Sequence, residues 1–131
     1  MSSIMIRLAL IVLASFAVVP ASAAKSTFDA RDPAQDRELR RHMINMEGAI
    51  YPDSARRMRK MGHGVFWMKF DKTGRVKAVK IMESTKHLDL DNAAVYACYR
   101  WGCRPGEVDQ AIVPTVFHFG GSGSRVTREV R

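Results

Sequence analysis

Cys98 and Cys103 bracket Trp101 in the stretch DNAAVYACYRWGCRPG. Two thiols this close in sequence can exchange electrons, hold a metal or form a disulfide, and their spacing separates these chemistries. C-x4-C is neither the C-x-x-C of thiol redox enzymes nor half of a zinc ribbon, and the chain holds no second cysteine pair to complete a metal site. A nucleophilic cysteine needs an acid–base partner, and none stands at a recognised spacing. His42, His63, His87 and His118 add no metal signature, because no two share a helix face or an H-x-H spacing. Catalytic residues, metal ligands and a cofactor are therefore not expected. The cysteines remain as a disulfide or as two buried thiols.

The compartment bears on that choice. Arg7 precedes a run from Leu8 to Val19 without a charge, followed by Pro20 and Ala21-Ser22-Ala23. A basic start, an apolar stretch and a small-x-small site predict a cleavable secretory signal over residues 1–23. The alternative is an uncleaved inner-membrane anchor, but the apolar stretch falls just short of the ~20 residues that span a bilayer. Cleavage leaves about 108 residues, enough for one compact domain and too few for two. The formal net charge of +8 drops by one when Arg7 leaves with the signal. In an exported chain such charge suits an acidic partner or an anionic envelope surface, not nucleic acid. Export to the periplasm also favours oxidation of neighbouring thiols.

Periodicity places these residues on elements. Asp32-Pro33 with Gln35 predicts a helix start, and Leu39, Met43, Met46 and Ile50 form one apolar stripe on a helix running to Glu47. A second helix starts at Pro52 or Asp53 and stops at Gly62, with Ala55 and Met58 inward and Arg56, Arg57, Arg59 and Lys60 outward. That basic face is either solvated or an anionic docking patch. From Gly64 the period becomes two: Phe66, Met68 and Phe70 share one face, and Trp67 takes the other. Asp71 to Gly74 turns the chain into a second strand from Val76 to Met82, where Val76 keeps the face of Val79 and Ile81 only if a bulge intervenes. Asp89 or Asp91 is available to cap a third helix carrying Leu90, Ala94, Ala97, Cys98 and Trp101, which Pro105-Gly106 ends. A last strand spans Ile112 to Phe119 with Thr115, Phe117 and Phe119 on one face, and residues 120–131 carry no apolar period. The order predicts an α+β domain: a three-stranded antiparallel sheet with helices packed on it, plus an extra N-terminal helix.

Over Tyr51 to Phe119 the chain resembles the C-terminal domain of the TonB family of energy transducers. The matching residues are Tyr51-Pro52 with Ala55-Arg56, Gly62, Gly74-Arg75-Val76, Ser84, Leu90-Asp91 with Ala93-Ala94 and Ala97, Trp101, Pro105-Gly106, and Pro114 with Phe117. The resemblance implies a TonB/TolA C-terminal-like fold over residues 51–119, preceded by an extension over 24–50. It also implies a non-enzymatic domain that grips an extended peptide, the TonB box, of an outer-membrane transporter. That peptide adds as a strand beside the last strand of the domain.

Several expectations follow for this chain. Ile112, Val113, Thr115, Val116, Phe117 and His118 are expected to form the peptide-binding edge strand, and Pro114 supports an edge because proline lacks the N–H a central strand needs. Tyr51, Trp67, Arg56, Arg57 and Lys60 are a further candidate partner surface. Trp67, on the face away from the core, is expected to meet the N-terminal helix, a partner or a second copy in a homodimer. Cys98 and Cys103 stand where the family usually has an aliphatic and an aromatic core residue, at the junction of helix and last strand, and a disulfide there is favoured over two thiols. Family transducers carry an anchor and a long spacer; the apolar start here reads as cleavable, and about 27 residues at ~3.5 Å each cannot bridge an envelope. The partner expected is an envelope protein, such as a TonB-dependent outer-membrane receptor.

Overall fold

The computed structural model describes residues 26–119, so the signal segment expected over 1–23 and the tail over 120–131 lie outside the described residues. The elements in chain order are β1 (Thr27–Asp29), α1 (Pro33–His42), β2 (Met43–Asn45), α2 (Asp53–Arg57), β3 (Gly62–Phe70), β4 (Val76–Glu83), α3 (Leu88–Tyr99), β5 (Gly102–Cys103) and β6 (Gln110–Phe117). The α+β class holds, but the main sheet has four strands, not three, in the order β1-β6-β3-β4. The added strand is β1, which pairs parallel with β6. Its signal in the sequence is Phe28 between polar Thr27 and Asp29, one period too short to stand out from a loop. A second small sheet joins β2 to β5.

The helices bury one face of the main sheet. Phe66, Met68, Phe70, Ala111, Val113 and Phe117 join Leu39, Ala55, Leu90, Ala94, Cys98 and Trp101 in a single core. Alternation along β6 drives this, since Ala111, Val113, Thr115 and Phe117 are buried and their neighbours are not. The bulge expected near Val76 is present: Lys69 pairs with Ala78 and Phe70 with Val76, leaving Lys77 extra. A second register shift follows between Val65 and Phe66, which lie opposite Glu83 and Ile81. Asp71 closes the hairpin by accepting hydrogen bonds from the Thr73 amide at 2.8 Å and the Arg75 amide at 3.1 Å.

Helix α1 starts as expected, with Pro33 at the first turn and the Asp32 carboxylate accepting from the Ala34 amide at 2.9 Å. It ends earlier, at His42 and not Glu47. Met43 turns extended and Met43–Asn45 pairs with Gly102–Cys103, while the Arg104 amide bonds the His42 carbonyl at 2.9 Å. Tertiary pairing thus overrides the helical spacing of Met43 and Met46, and Ile50, the last residue of the expected stripe, is exposed. Helix α2 is a short turn whose Ala55 is buried, whereas Met58, expected inward, is exposed. Arg59 at φ 52° ends it.

Neither Asp89 nor Asp91 caps α3; its N-cap is His87, without a side-chain cap bond. Asp89 pairs with Lys60 at 3.0 Å. Asp91 instead pins the β4–α3 loop, accepting from the Thr85 amide at 2.7 Å, the Thr85 hydroxyl at 2.6 Å and the Ser84 hydroxyl at 2.5 Å. Burial pushes its carboxyl up, but the bonds from Ser84 and Thr85 outweigh that and hold it below the ordinary 3.8. A folded-state value below the unfolded one stabilises the fold above the ordinary carboxylate range, and that contribution is lost as pH falls through the folded value. Asp91→Ala is expected to cost about 3 kcal/mol in urea unfolding at neutral pH, because buried donors lose an ionised acceptor. The gap to wild type should narrow as the pH drops below 3.8.

Candidate functional site

The two edges of β6 are set by strand parity. Phe70 donates to the Asp109 carbonyl at 2.9 Å on the β3 side, and Ala30 donates to the Ile112 carbonyl at 2.8 Å on the β1 side. Backbone groups alternate along a strand, so odd-numbered residues of β6 bond to β3 and even-numbered ones face the other edge. Strand β1 covers that edge only at its start, with Thr27, Phe28 and Asp29 opposite Gln110, Ala111 and Ile112. Beyond Ile112 no described strand pairs there. By strand parity the Pro114 carbonyl and both polar groups of Val116 face outward, and the amide of His118, one residue past the end of β6, continues that row. Pro114 stands where its missing N–H would have faced the open edge, which is where proline costs least.

This revises the expected binding strand. The edge is half closed by the protein's own β1, and Ile112, expected to receive a partner, has its outward groups engaged by β1 and Ala30. Val113, Thr115 and Phe117 direct their backbone groups to β3 and their side chains into the core. They can shape a site but cannot extend the ladder. The main-chain groups on the uncovered side are those of Pro114, Val116 and His118.

Beside the open half, on the helix side, lies a cavity of about 220 Å³. Val113, Pro114 and Thr115 form its sheet wall. Ala94, Ala97 and Cys98 of α3 form the second with Trp101, which lies past the end of α3 at Tyr99 and not within it as expected, and Arg40 with Met46 to Ala49 forms the third. That third wall is fixed by the Trp101 indole, which donates to the Glu47 carbonyl at 2.7 Å, and by an Arg100–Glu47 ion pair at 2.5 Å. Residues 40 and 46–49 went unmarked in the sequence because helical spacing assigned them to the end of α1.

The other expected surfaces separate. Tyr51 is 3% exposed, packs edge-on against Phe117 at 5.5 Å and donates its hydroxyl to the Lys60 carbonyl, so it belongs to the core and not to a partner surface. Lys60 is held by Asp89, while Arg56 and Arg57 stay exposed on α2. Trp67 does point to the face opposite the helices, but α1 does not cover it, since Leu39 of α1 enters the core on the helix side. Its indole donates to Gln110 Oε1 at 2.8 Å, and Lys80 lies 5.2 Å from its ring.

Cys98 and Cys103 are both buried and are thiols, not the expected disulfide. Cys98 sits on α3 and lines the cavity, whereas Cys103 is taken into β5 by pairing with Met43. Burial pushes the Cys103 thiol up, which disfavours the reactive thiolate. Among the described residues no group of three His, Cys, Asp or Glu is placed to hold a metal. His42 meets Glu107 at 2.8 Å. No helix among the described residues is long and apolar enough to cross a membrane.

Comparison with known proteins bears on the same segment. The family model of the Gram-negative bacterial TonB protein C-terminal matches residues 48–119. No curated protein matches. Among solved structures, the solution NMR structure of the Pseudomonas aeruginosa TonB CTD superposes with a TM-score of 0.55 at 20% identity, covering 62% of this chain and 88% of that chain. At that identity the likeness is one of fold. The helix-backed sheet is in keeping with that fold, and the family match, over more than half of the chain's length, shows that the chain belongs to the TonB C-terminal domain family.

Proposed function

We propose that this protein is an exported, periplasmic interaction domain that binds an extended segment of a cell-envelope protein by strand addition along the open half of β6, without catalysis. TonB C-terminal domains are interaction domains of the cell envelope that meet proteins such as outer-membrane receptors, and a receptor of that kind is the partner we favour. The observation that carries the proposal is the row of outward backbone groups at Pro114, Val116 and His118, in the lane that β1 fills only as far as Ile112. An extended peptide satisfies such groups by main-chain bonds and gains selectivity from alternate side chains.

Titrating the protein with TonB-box-like peptides and following backbone amide shifts tests this directly. Shifts centred on the amides of Val116 and His118, with Ala111 and Ile112 little changed, are the expected result. Absence of any shift in β6 at millimolar peptide would overturn it.

A further inference from the structure

The open half of β6 and the 220 Å³ cavity share Val113, Pro114 and Thr115, so whatever adds to the edge also passes the mouth of the cavity. In a pleated strand, a side chain opposite Thr115 falls on the helix side, where Thr115 is buried; the position opposite Val113 is already taken by Ala30, which follows β1. A residue of an added strand opposite Thr115 would therefore point to the side on which the cavity lies. The cavity lining is mixed: apolar at Met46, Ala49, Ala94, Ala97, Trp101 and Val113, and polar at Arg40, Glu47 and Thr115 around a partly open mouth. A dry cavity of roughly 150 Å³ already takes benzene, so this one has room for a large apolar side chain.

The charged group in the wall is Arg40. Its Nε donates to Asp36 Oδ2 at 2.8 Å, its side chain is 46% exposed, and its other two guanidinium nitrogens bond no described residue. Those nitrogens are suited to a carboxylate. Glu47, the acid in the same wall, is paired with Arg100 at 2.5 Å as Arg40 is with Asp36, so what the wall offers a carboxylate is the remaining guanidinium N–H donors and not an unpaired charge. Arg40 and Met46 precede residue 48, where the family match begins, so this wall is built by the chain's own extension.

We infer that the cavity is the selectivity pocket of the added strand: it takes one large apolar side chain, such as leucine, methionine or phenylalanine, from a segment that carries an acidic residue two positions away on the same face. The inference rests on the strand-addition reading and narrows it to a partner of stated chemistry. Residues two apart in a strand share a face, so the apolar group fills the cavity while the carboxylate meets Arg40.

The test uses the full chain and two capped seven-residue threonine peptides, each with a central leucine and an aspartate two residues before or after it. Leucine-to-alanine and aspartate-to-asparagine versions serve as controls. One leucine–aspartate isomer is expected to shift the Val116 and His118 amides together with the Ala94 and Ala97 methyls. Replacing its leucine by alanine should weaken binding about 10- to 100-fold, as expected for unburying three carbons at about 0.8 kcal/mol each. Ala49→Met, which fills the mouth from a loop, should weaken the leucine peptide but leave the alanine peptide unchanged. Arg40→Gln should remove the preference for aspartate over asparagine.

If the leucine and alanine peptides shift Val116 equally and bind within twofold of each other, the pocket inference is wrong while strand addition stands. If neither leucine isomer moves the Val116 amide, strand addition fails for this ligand chemistry and the pocket inference falls with it. Methyl shifts without amide shifts would also overturn it, because the cavity would then bind something other than an added strand.

Discussion

Val116→Pro should leave the fold intact and weaken peptide binding by about a hundredfold or more, a loss of roughly 3 kcal/mol. Val116 is even-numbered on β6, so its N–H faces the open lane and bonds no strand of the protein. Proline at an edge position removes only a donor that the folded chain does not use. For an incoming strand the same change deletes a ladder bond and puts a ring where the partner backbone must approach. Val116→Ala separates the backbone effect from the side chain, because it keeps the N–H and should bind within a few-fold of wild type. Unfolding curves that overlay for wild type and Val116→Pro, combined with lost peptide shifts, are the expected pattern. Unchanged binding in Val116→Pro would mean that the added strand lies elsewhere.

The largest effect on stability is expected at Gly74. It closes the β3–β4 turn at φ 88°, and a Cβ there would stand 2.0 Å from the Cys103 carbonyl oxygen. Both the left-handed backbone and the contact exclude a side chain. The site cannot relax cheaply, since the Cys103 amide donates to the Gly74 carbonyl at 2.8 Å and ties the turn to β5. Gly74→Ala is expected to cost about 4 kcal/mol or more, in the range reserved for strained backbone and core clashes. Thermal unfolding would show it. A loss under about 1 kcal/mol would mean that the turn and β5 are not held together in solution.

What could be read from the residues was whatever local period and turn chemistry dictate. A hairpin from Gly64 to Met82, a bulge near Val76 and the shared face of Thr115 and Phe117 follow from alternation; the structure has them, with the strands running Gly62–Phe70, Val76–Glu83 and Gln110–Phe117, so Phe119 falls beyond the last strand. The end of α1 did not follow, because Met43 and Met46 suit a helical stripe and only pairing with Gly102–Cys103 draws Met43 into a strand. Strand β1 escaped notice because three residues carry too little period, and its partner lies more than eighty residues away. The candidate site inherits both gaps. Pro114 reads as the mark of an edge strand, but β6 lies between β1 and β3; how much of its outer side stays uncovered depends on β1, and the cavity wall depends on where α1 stops. The cysteines show the limit of reasoning from compartment: two nearby thiols in an exported chain suggest oxidation, yet Cys103 is committed to β5 and Cys98 to the helix.

Because β1 occupies the first half of the lane, a strand adding there as proposed would find room for only a handful of main-chain bonds. At about 1 kcal/mol net apiece, these barely offset the ~4–15 kcal/mol that association costs in lost freedom of motion. Grip of that kind has a short dwell time, since affinity within one interface is adjusted mainly through the rate of release. A latch so brief suits repeated sampling of many passing segments better than permanent attachment to one.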